Sequence, residues 1–350
     1  MVMQADLDDD SRRAWAERVV RVVNRAFPNF DVLTTWTRCE RYLPHALICA
    51  SLIEQWQIVS MPAGRLLSRT GAYLIEYGQF LQATALLRQA LMINRQALGA
   101  YHPDTVQTQV DLGASLLRQG DFTESEAMLK QAIDTYDRIP DPPQQELAMA
   151  LLAYSMLCQM QARLEEAEAL SRRALDIGEQ FLSSDHVVTA EALSSLATVF
   201  VRQQRRAEAE VLFLRALPIY ERTIGIHHPY YGSCLNNLAY LYRHMGKYDE
   251  SEQYTRQVIA LLEQSVGYEH PNTAISIDNL AKIYALRGQY DQAELFHQQA
   301  LAIFERTLGP EHPDVGICLN NLAQLYERMG RDDEAEPLRH KVQAIQRKAR

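Results

Sequence analysis

A 42-residue interval governs most of this 350-residue chain: Gly78, Gly120, Gly246, Gly288 and Gly330 all lie on it. Such a period builds a stack of similar units, each burying its apolar face on its neighbours, because one unit cannot bury enough surface alone. Two series of small residues follow the same interval. One runs Gly71, Gly113, Ser155, Ala197, Ala239, Ala281 and Ala323, the other Ala83, Ser125, Ala167, Ala209, Ser251, Ala293 and Ala335. Between them stand a glycine and usually an aromatic, as in Gly78-Gln79-Phe80 and Gly288-Gln289-Tyr290. This predicts two helices, A and B, crossing closely at a tight turn: small side chains admit the neighbouring backbone and glycine ends the first helix. A third series, Ala90, Ala132, Ala174, Ala216, Val258, Ala300 and Val342, supplies the buried edge of helix B.

Between units the sequence reads Leu98-Gly99 to His102-Pro103, Ile224-Gly225 to His228-Pro229, Val266-Gly267 to His270-Pro271 and Leu308-Gly309 to His312-Pro313. Glycine stops helix B and proline opens the next helix A. Two linkers depart from this, Ile139 to Pro143 and Ser183 to Val187, and nearby Ala162 and Gln204 occupy the glycine column. The repeat therefore lapses around its third unit.

The phrases beginning at Leu235 (LNNLAYLYRHMGKYDESEQY), Ala300 (ALAIFERTLGPEHPDV) and Leu319 (LNNLAQLYERMGRDDEAEPL) resemble the 42-residue tetratricopeptide (TPR) repeats of kinesin light chains and their bacterial relatives. The resemblance covers residues 63–350 and implies an all-α fold, a right-handed superhelix whose A helices line a concave groove. About seven repeats are expected, at 63–105, 106–147, 148–189, 190–231, 232–273, 274–315 and 316–350.

Residues 11–60 do not keep the interval. Ser11 is placed to cap a helix carrying Trp15, Val19, Val22, Val23 and Phe27, which Pro28 terminates. A second segment, Trp36 to Leu43, leads through Pro44 into an apolar-faced helix ending near Trp56. A helical cap over the open end of the first repeat is one reading, since solenoid ends need covering. The other comes from resemblance. Residues 14–58 are similar to the segment joining the NTPase module to the TPR sensor in bacterial STAND signal-transduction ATPases with an NB-ARC core. That implies an NTPase module in the same full-length chain. Residues 1–10 are expected to be disordered or tag-like.

Composition excludes several function classes. With a net charge of −9 and no basic block before the final helix, nucleic acid and anionic membrane are poor partners. The longest apolar run, Ala46 to Ile53, is too short to span a bilayer. Five cysteines without a CxxC pair suit a reduced, cytoplasmic protein, with Cys234 and Cys318 read as small core residues of one column. No catalytic motif and no clustered metal-ligand spacing is seen, so no enzyme, cofactor or metal is expected. The recurrent His102, His228, His270 and His312 read as linker hydrogen bonders. The acids Glu165, Glu166, Glu168 and Asp332 to Glu334 read as solvated faces.

The expected ligand site is the groove. Beside the buried edge of each late helix A, the sequence places Asn236, Asn237, Tyr240, Arg243, Asp278, Asn279, Lys282, Asn320, Asn321 and Arg328, a polar and partly basic surface. In TPR proteins of this kind the matching Asn commonly bonds the backbone of an extended peptide, which a carboxamide does by donating and accepting at once. Earlier columns hold Val110, Met149, Leu152, Met156 and Met160, either an exposed apolar patch for a partner's anchor or part of the core. The sequence thus points to a protein- or peptide-binding TPR module. The sensor of a STAND-type ATPase is the leading reading and a free-standing scaffold or adaptor the alternative.

Overall fold

The computed structural model describes residues 8–28 and 36–348, and every regular element among them is helical. The chain forms two compact units, Met1–Gln203 and Gln204–Arg350. The first contains α1 (Asp9–Ala26), α2 (Trp36–Gln55), α3 (Met61–Glu76), α4 (Phe80–Leu98), α5 (Pro103–Gln119), α6 (Phe122–Arg138), α7 (Gln144–Met160), α8 (Leu164–Ile177) and α9 (Val187–Arg202). The second contains α10 (Arg206–Thr223), α11 (Pro229–His244), α12 (Tyr248–Ser265), α13 (Pro271–Leu286), α14 (Tyr290–Leu308), α15 (Pro313–Arg328) and α16 (Asp332–Lys348).

Each hairpin closes where the small columns meet. A Cβ added to Gly113 would lie 2.8 Å from Leu129 Cγ, and one added to Gly71 2.6 Å from Leu87 Cγ, so α5/α6 and α3/α4 touch nearly backbone to side chain. Where serine occupies a small column, its hydroxyl donates to the carbonyl across the crossing. Ser125 reaches Gly113 at 2.7 Å, Ser155 reaches Ala167 at 3.0 Å and Ser251 reaches Ala239 at 2.8 Å. Each spares the buried hydroxyl an unmet hydrogen bond.

The linker histidines are helix N-caps. Nδ1 of His102, His228, His270 and His312 accepts from the backbone N–H two residues on, at 3.1–3.2 Å. His186 does the same for Val188 at 3.3 Å, so the second irregular linker keeps its cap although it has lost its proline. Ahead of it, α8 runs into a π turn, Gly178–Leu182, where a Cβ on Gly178 would come within 2.6 Å of Thr189 Oγ1.

The lapse at Ala162 and Gln204 is a lapse of sequence and not of backbone. Both hold the left-handed conformation that glycine holds in the other turns, with φ of 60° and 66°. A Cβ in that region is strained by about 1–2 kcal/mol. Ala162→Gly and Gln204→Gly are therefore expected to raise stability by about 1 kcal/mol each. Urea midpoints unchanged or lowered would contradict this.

At the N-terminus Asp8, not Ser11, caps α1: its carboxylate accepts from the Ser11 N–H at 2.7 Å. Helix already includes Asp9 and Asp10, inside the stretch expected to be disordered; residues 1–7 lie outside the described residues. Pro44 does not divide the next segment, since α2 runs unbroken through it. The missing N–H falls on the exposed side, while Cys39, Ala46, Cys49 and Ile53 bury the other side in the core of the first repeat. The apolar stripe of α1 is split. Ala16, Val20 and Phe27 face that core, whereas Trp15, Val19 and Val22 point outward, Val22 being 65% exposed. Arg69 locks the arrangement by donating to the carbonyls of Phe27 and Asn24, at 3.1 and 2.7 Å. The N-terminal helices thus pack on the first hairpin.

Neighbouring repeats are tied by half-buried acids of the B helices. Glu252 accepts from Tyr284 and Arg287 of the next helix A region, both at 2.6 Å, and Glu294 from Tyr326 and Arg331 at 2.8 and 2.6 Å. Glu210 pairs with Lys247 at 3.0 Å, and Glu126 with Arg163 at 2.8 Å. Glu168, read as solvated, takes hydrogen bonds from Arg172 and Gln203, and Glu166 from Tyr154. Glu126, Glu168, Glu210, Glu252 and Glu294 form one 42-residue column, a signal available in the sequence.

Candidate functional site

Helical geometry puts residues three or four apart on one stripe, so each helix A carries one stripe into its hairpin and shows the next to its neighbours. In the second unit these stripes line a cleft of about 330 Å³ between α11, α13 and α15. Its walls include Arg243, His244, Lys282, Leu286, His297, Asn321, Gln324 and Arg328. Four of the expected groove residues, Arg243, Lys282, Asn321 and Arg328, meet there. Tyr240 supports the cleft from outside: its ring lies 5.3 Å from the Arg243 guanidinium and 4.2 Å from the His244 ring. Asn236 is exposed and Asn237, Asn279 and Asn320 are half-buried; none of the four lines the cleft, though Asn279 accepts from Lys282 of its wall at 3.4 Å.

Asp278 departs from its expected place. It is 5% exposed and faces inward, so it is no surface for a peptide. Its Oδ1 lies 2.7 Å from His297 Nδ1, while Oδ2 accepts from Lys282 at 2.7 Å and from Asn321 at 2.8 Å. Burial pushes this carboxyl up, but the hydrogen bond from His297 and the charge of Lys282 outweigh it and hold the group below the ordinary carboxylate range. His297 belongs to no motif or repeated column of the sequence. Its column holds Leu87, Leu129, Ser171, Phe213 and Thr255 in other repeats, and that contrast was the available signal.

Arg243 and Arg328 point cations at the cleft with no carboxylate in ion-pair contact among the described residues. Burial pulls the Arg243 guanidinium below its ordinary value, with the charges of Tyr240 and Asp278 opposing. A partly desolvated, unpaired guanidinium favours an incoming anion, since the cost of stripping its water is already met by the fold.

The first unit has a different face. Val110 is 4% exposed and belongs to the core, because α5 turns that edge toward α6 and α7, so it is not part of an exposed patch. Leu152 and Met156 are half-buried against the same core. Met149 and Met160 are exposed, at 38% and 52%. Met149 shares a column with Gln107 and Glu191, and Asp111 accepts from Gln107 at 2.8 Å. Desolvation and the charge of Glu76 raise Glu191 to about 8, and desolvation, against the Gln107 hydrogen bond, raises Asp111 to about 7.

A carboxyl raised in the folded state takes up a proton that the unfolded chain gives up near pH 4, so stability falls as pH climbs from there through the folded value. Asp111→Asn and Glu191→Gln are accordingly expected to leave the melting temperature unchanged near pH 4 and to raise it near pH 8. After discounting for partial exposure, each is worth about 1 kcal/mol at the higher pH. A gain of equal size at both pH values would contradict this origin.

Among the described residues no helix is long and apolar enough to cross a membrane. No curated protein matches the chain. Among solved structures it is similar to kinesin-light-chain TPR-like repeats from Podospora anserina, 27% identical over 59% of this chain and 98% of that one, with a TM-score of 0.53. It also shares its fold with the apo quorum sensor NprR of Bacillus thuringiensis, 11% identical over 98% and 90% of the two chains, TM-score 0.69. A STAND protein with a TPR sensor, PH0952 from Pyrococcus horikoshii, is 14% identical over 97% of this chain and 53% of its own, TM-score 0.60. The tetratricopeptide repeat profile matches residues 63–138, 146–222, 188–264, 230–306 and 296–348. With nearly all of the chain beyond residue 62 accounted for in this way, the protein belongs to the tetratricopeptide repeat family.

Proposed function

We propose that this chain is a protein- or peptide-binding sensor module without catalysis of its own, and that the cleft of the second unit takes a carboxylate-bearing segment. One observation carries the reading: Arg243 and Arg328 offer guanidinium groups without a carboxylate partner to a cleft whose other polar walls are His244, His297, Asn321, Gln324 and Lys282, the last already paired with Asp278. Asn279 accepts from Lys282 of its wall at 3.4 Å, and a carboxamide at that position serves an extended backbone. The exposed Met149 and Met160 of the first unit offer adaptable apolar contact to an anchor side chain.

The module is the sensor of a STAND-type ATPase in this reading. Support comes from residues 14–58, which resemble the connector of those proteins, and from the shared fold with a STAND protein whose TPR part is a sensor. The ligand then has to bind the active arrangement better than the resting one to shift the balance. A free-standing scaffold is favoured by a different observation: α1 and α2 already close the apolar end of the first hairpin, so no further domain is needed to cover it. A reading frame extending upstream into a phosphate-loop module separates the two.

The binding site is tested with a fluorescent peptide array of acidic segments and their amide counterparts. Acidic peptides are expected to bind best, and Arg243→Ala and Arg328→Ala to weaken capture about tenfold each, the loss of one charge-assisted bond. Equal retention of acidic peptides by the double variant would remove the cleft from consideration.

A further inference from the structure

We propose that Asp278, His297 and Cys318 form a site for one zinc ion in the second unit. The three come from α13, α14 and α15, and no regular ligand spacing links them. Their donor atoms nevertheless lie within 4.8 Å of one another, and all three residues are buried. His297 Nδ1 is 2.7 Å and Cys318 Sγ 3.5 Å from the same oxygen, Asp278 Oδ1.

Tetrahedral zinc with bonds of about 2.0–2.3 Å spaces its donors roughly 3.2–3.8 Å apart. The thiol and carboxylate already stand at that separation, and the imidazole has to withdraw by roughly half an ångström. Oδ2 of Asp278 is held by Lys282 and Asn321, which aims Oδ1 alone at the other two donors. Outer hydrogen bonds of this kind orient ligating carboxylates in metal sites. A water from the cleft completes the fourth position, since His297, Lys282 and Asn321 line it.

Two further points favour a built site over a packing accident. Hairpin packing does not call for histidine at this column, which is small or apolar in the five preceding repeats. A sulfur, nitrogen and oxygen set in a buried position also suits zinc and not calcium or magnesium. On binding, Cys318 releases its proton to solvent and His297 keeps its proton on Nε2. Thiolate and carboxylate together offset the dication, and the Lys282 ammonium leaves one positive charge at the wall of the cleft.

The test uses the chelator-stripped whole chain titrated with cobalt(II), then zinc. One equivalent of cobalt is expected to bring up the thiolate charge-transfer band and the strong visible absorption of a tetrahedral ion, both erased by zinc. Cys318→Ser should lose the charge-transfer band, and His297→Gln should weaken cobalt binding about tenfold or more. A wild-type chain without the band, or a band that persists in Cys318→Ser, overturns the proposal. Should Cys318→Ser lose its helicity, unchanged cobalt affinity in His297→Gln overturns it. Failure of the acidic-peptide assay leaves these outcomes untouched.

Discussion

His297→Leu, measured on the metal-free chain, is expected to lower stability by about 3 kcal/mol, seen as a reduced urea midpoint of helicity. His297 is 2% exposed, and its Nδ1 faces a buried Asp278 held below its ordinary carboxylate range. Leucine matches much of the volume, so the loss is chiefly electrostatic: Asp278 keeps its desolvated charge and loses one of its partners. Asp278→Asn in the same background removes that charge and should recover part of the loss. Non-additivity between the two substitutions is the signature of a direct pair. A single-variant cost below about 1 kcal/mol would mean that Lys282 and Asn321 satisfy Asp278 without the imidazole.

Gly113→Val is the second large effect. The added Cβ would lie 2.8 Å from Leu129 Cγ and 2.9 Å from Leu129 Cδ2, with Met128 Cβ at 3.4 Å. Leu129 is fully buried in the core shared by α5 to α9 and has nowhere to move. Either Leu129 leaves its rotamer or α5 and α6 separate, and overpacking of this kind costs about 1–3 kcal/mol, here toward the upper end. The β-branched side chain adds a smaller helix penalty of its own. A melting temperature equal to wild type would show that the crossing tolerates a wider gap than its geometry implies. Gly316→Ala is the matched control: its nearest neighbour would be Ile345 Cγ2 at 3.5 Å, an ordinary contact.

Both positions illustrate how legible the chain is. Gly113 was readable because its meaning repeats: a small residue every 42 positions, with a second small series across a turn, can only describe a close helix crossing. The histidine caps were readable for the same reason, each standing before a helix-opening proline or its equivalent. His297 was not readable. It breaks a column instead of forming one, and it lies 19 residues from Asp278 and 21 from Cys318, separations that match no local motif. Met149 and Val110 were indistinguishable as apolar groove candidates, yet one is exposed and the other buried. A small rotation about the helix axis carries a border residue from one side of the packing edge to the other, and composition does not record it.

By itself, the sequence determined the hairpins, their turns and their stacking order, because these follow from local propensity and from columns repeated often enough to leave one consistent packing. Even the glycine column survives its two exceptions, since the tertiary packing forces Ala162 and Gln204 into glycine's conformation. Only the tertiary structure decided which polar groups meet: Asp278 with His297, Lys282 and Asn321, and Arg243 and Arg328 around one cleft. Burial and partner geometry set whether a charge is paired or available, and both are properties of helices brought together from distant parts of the chain.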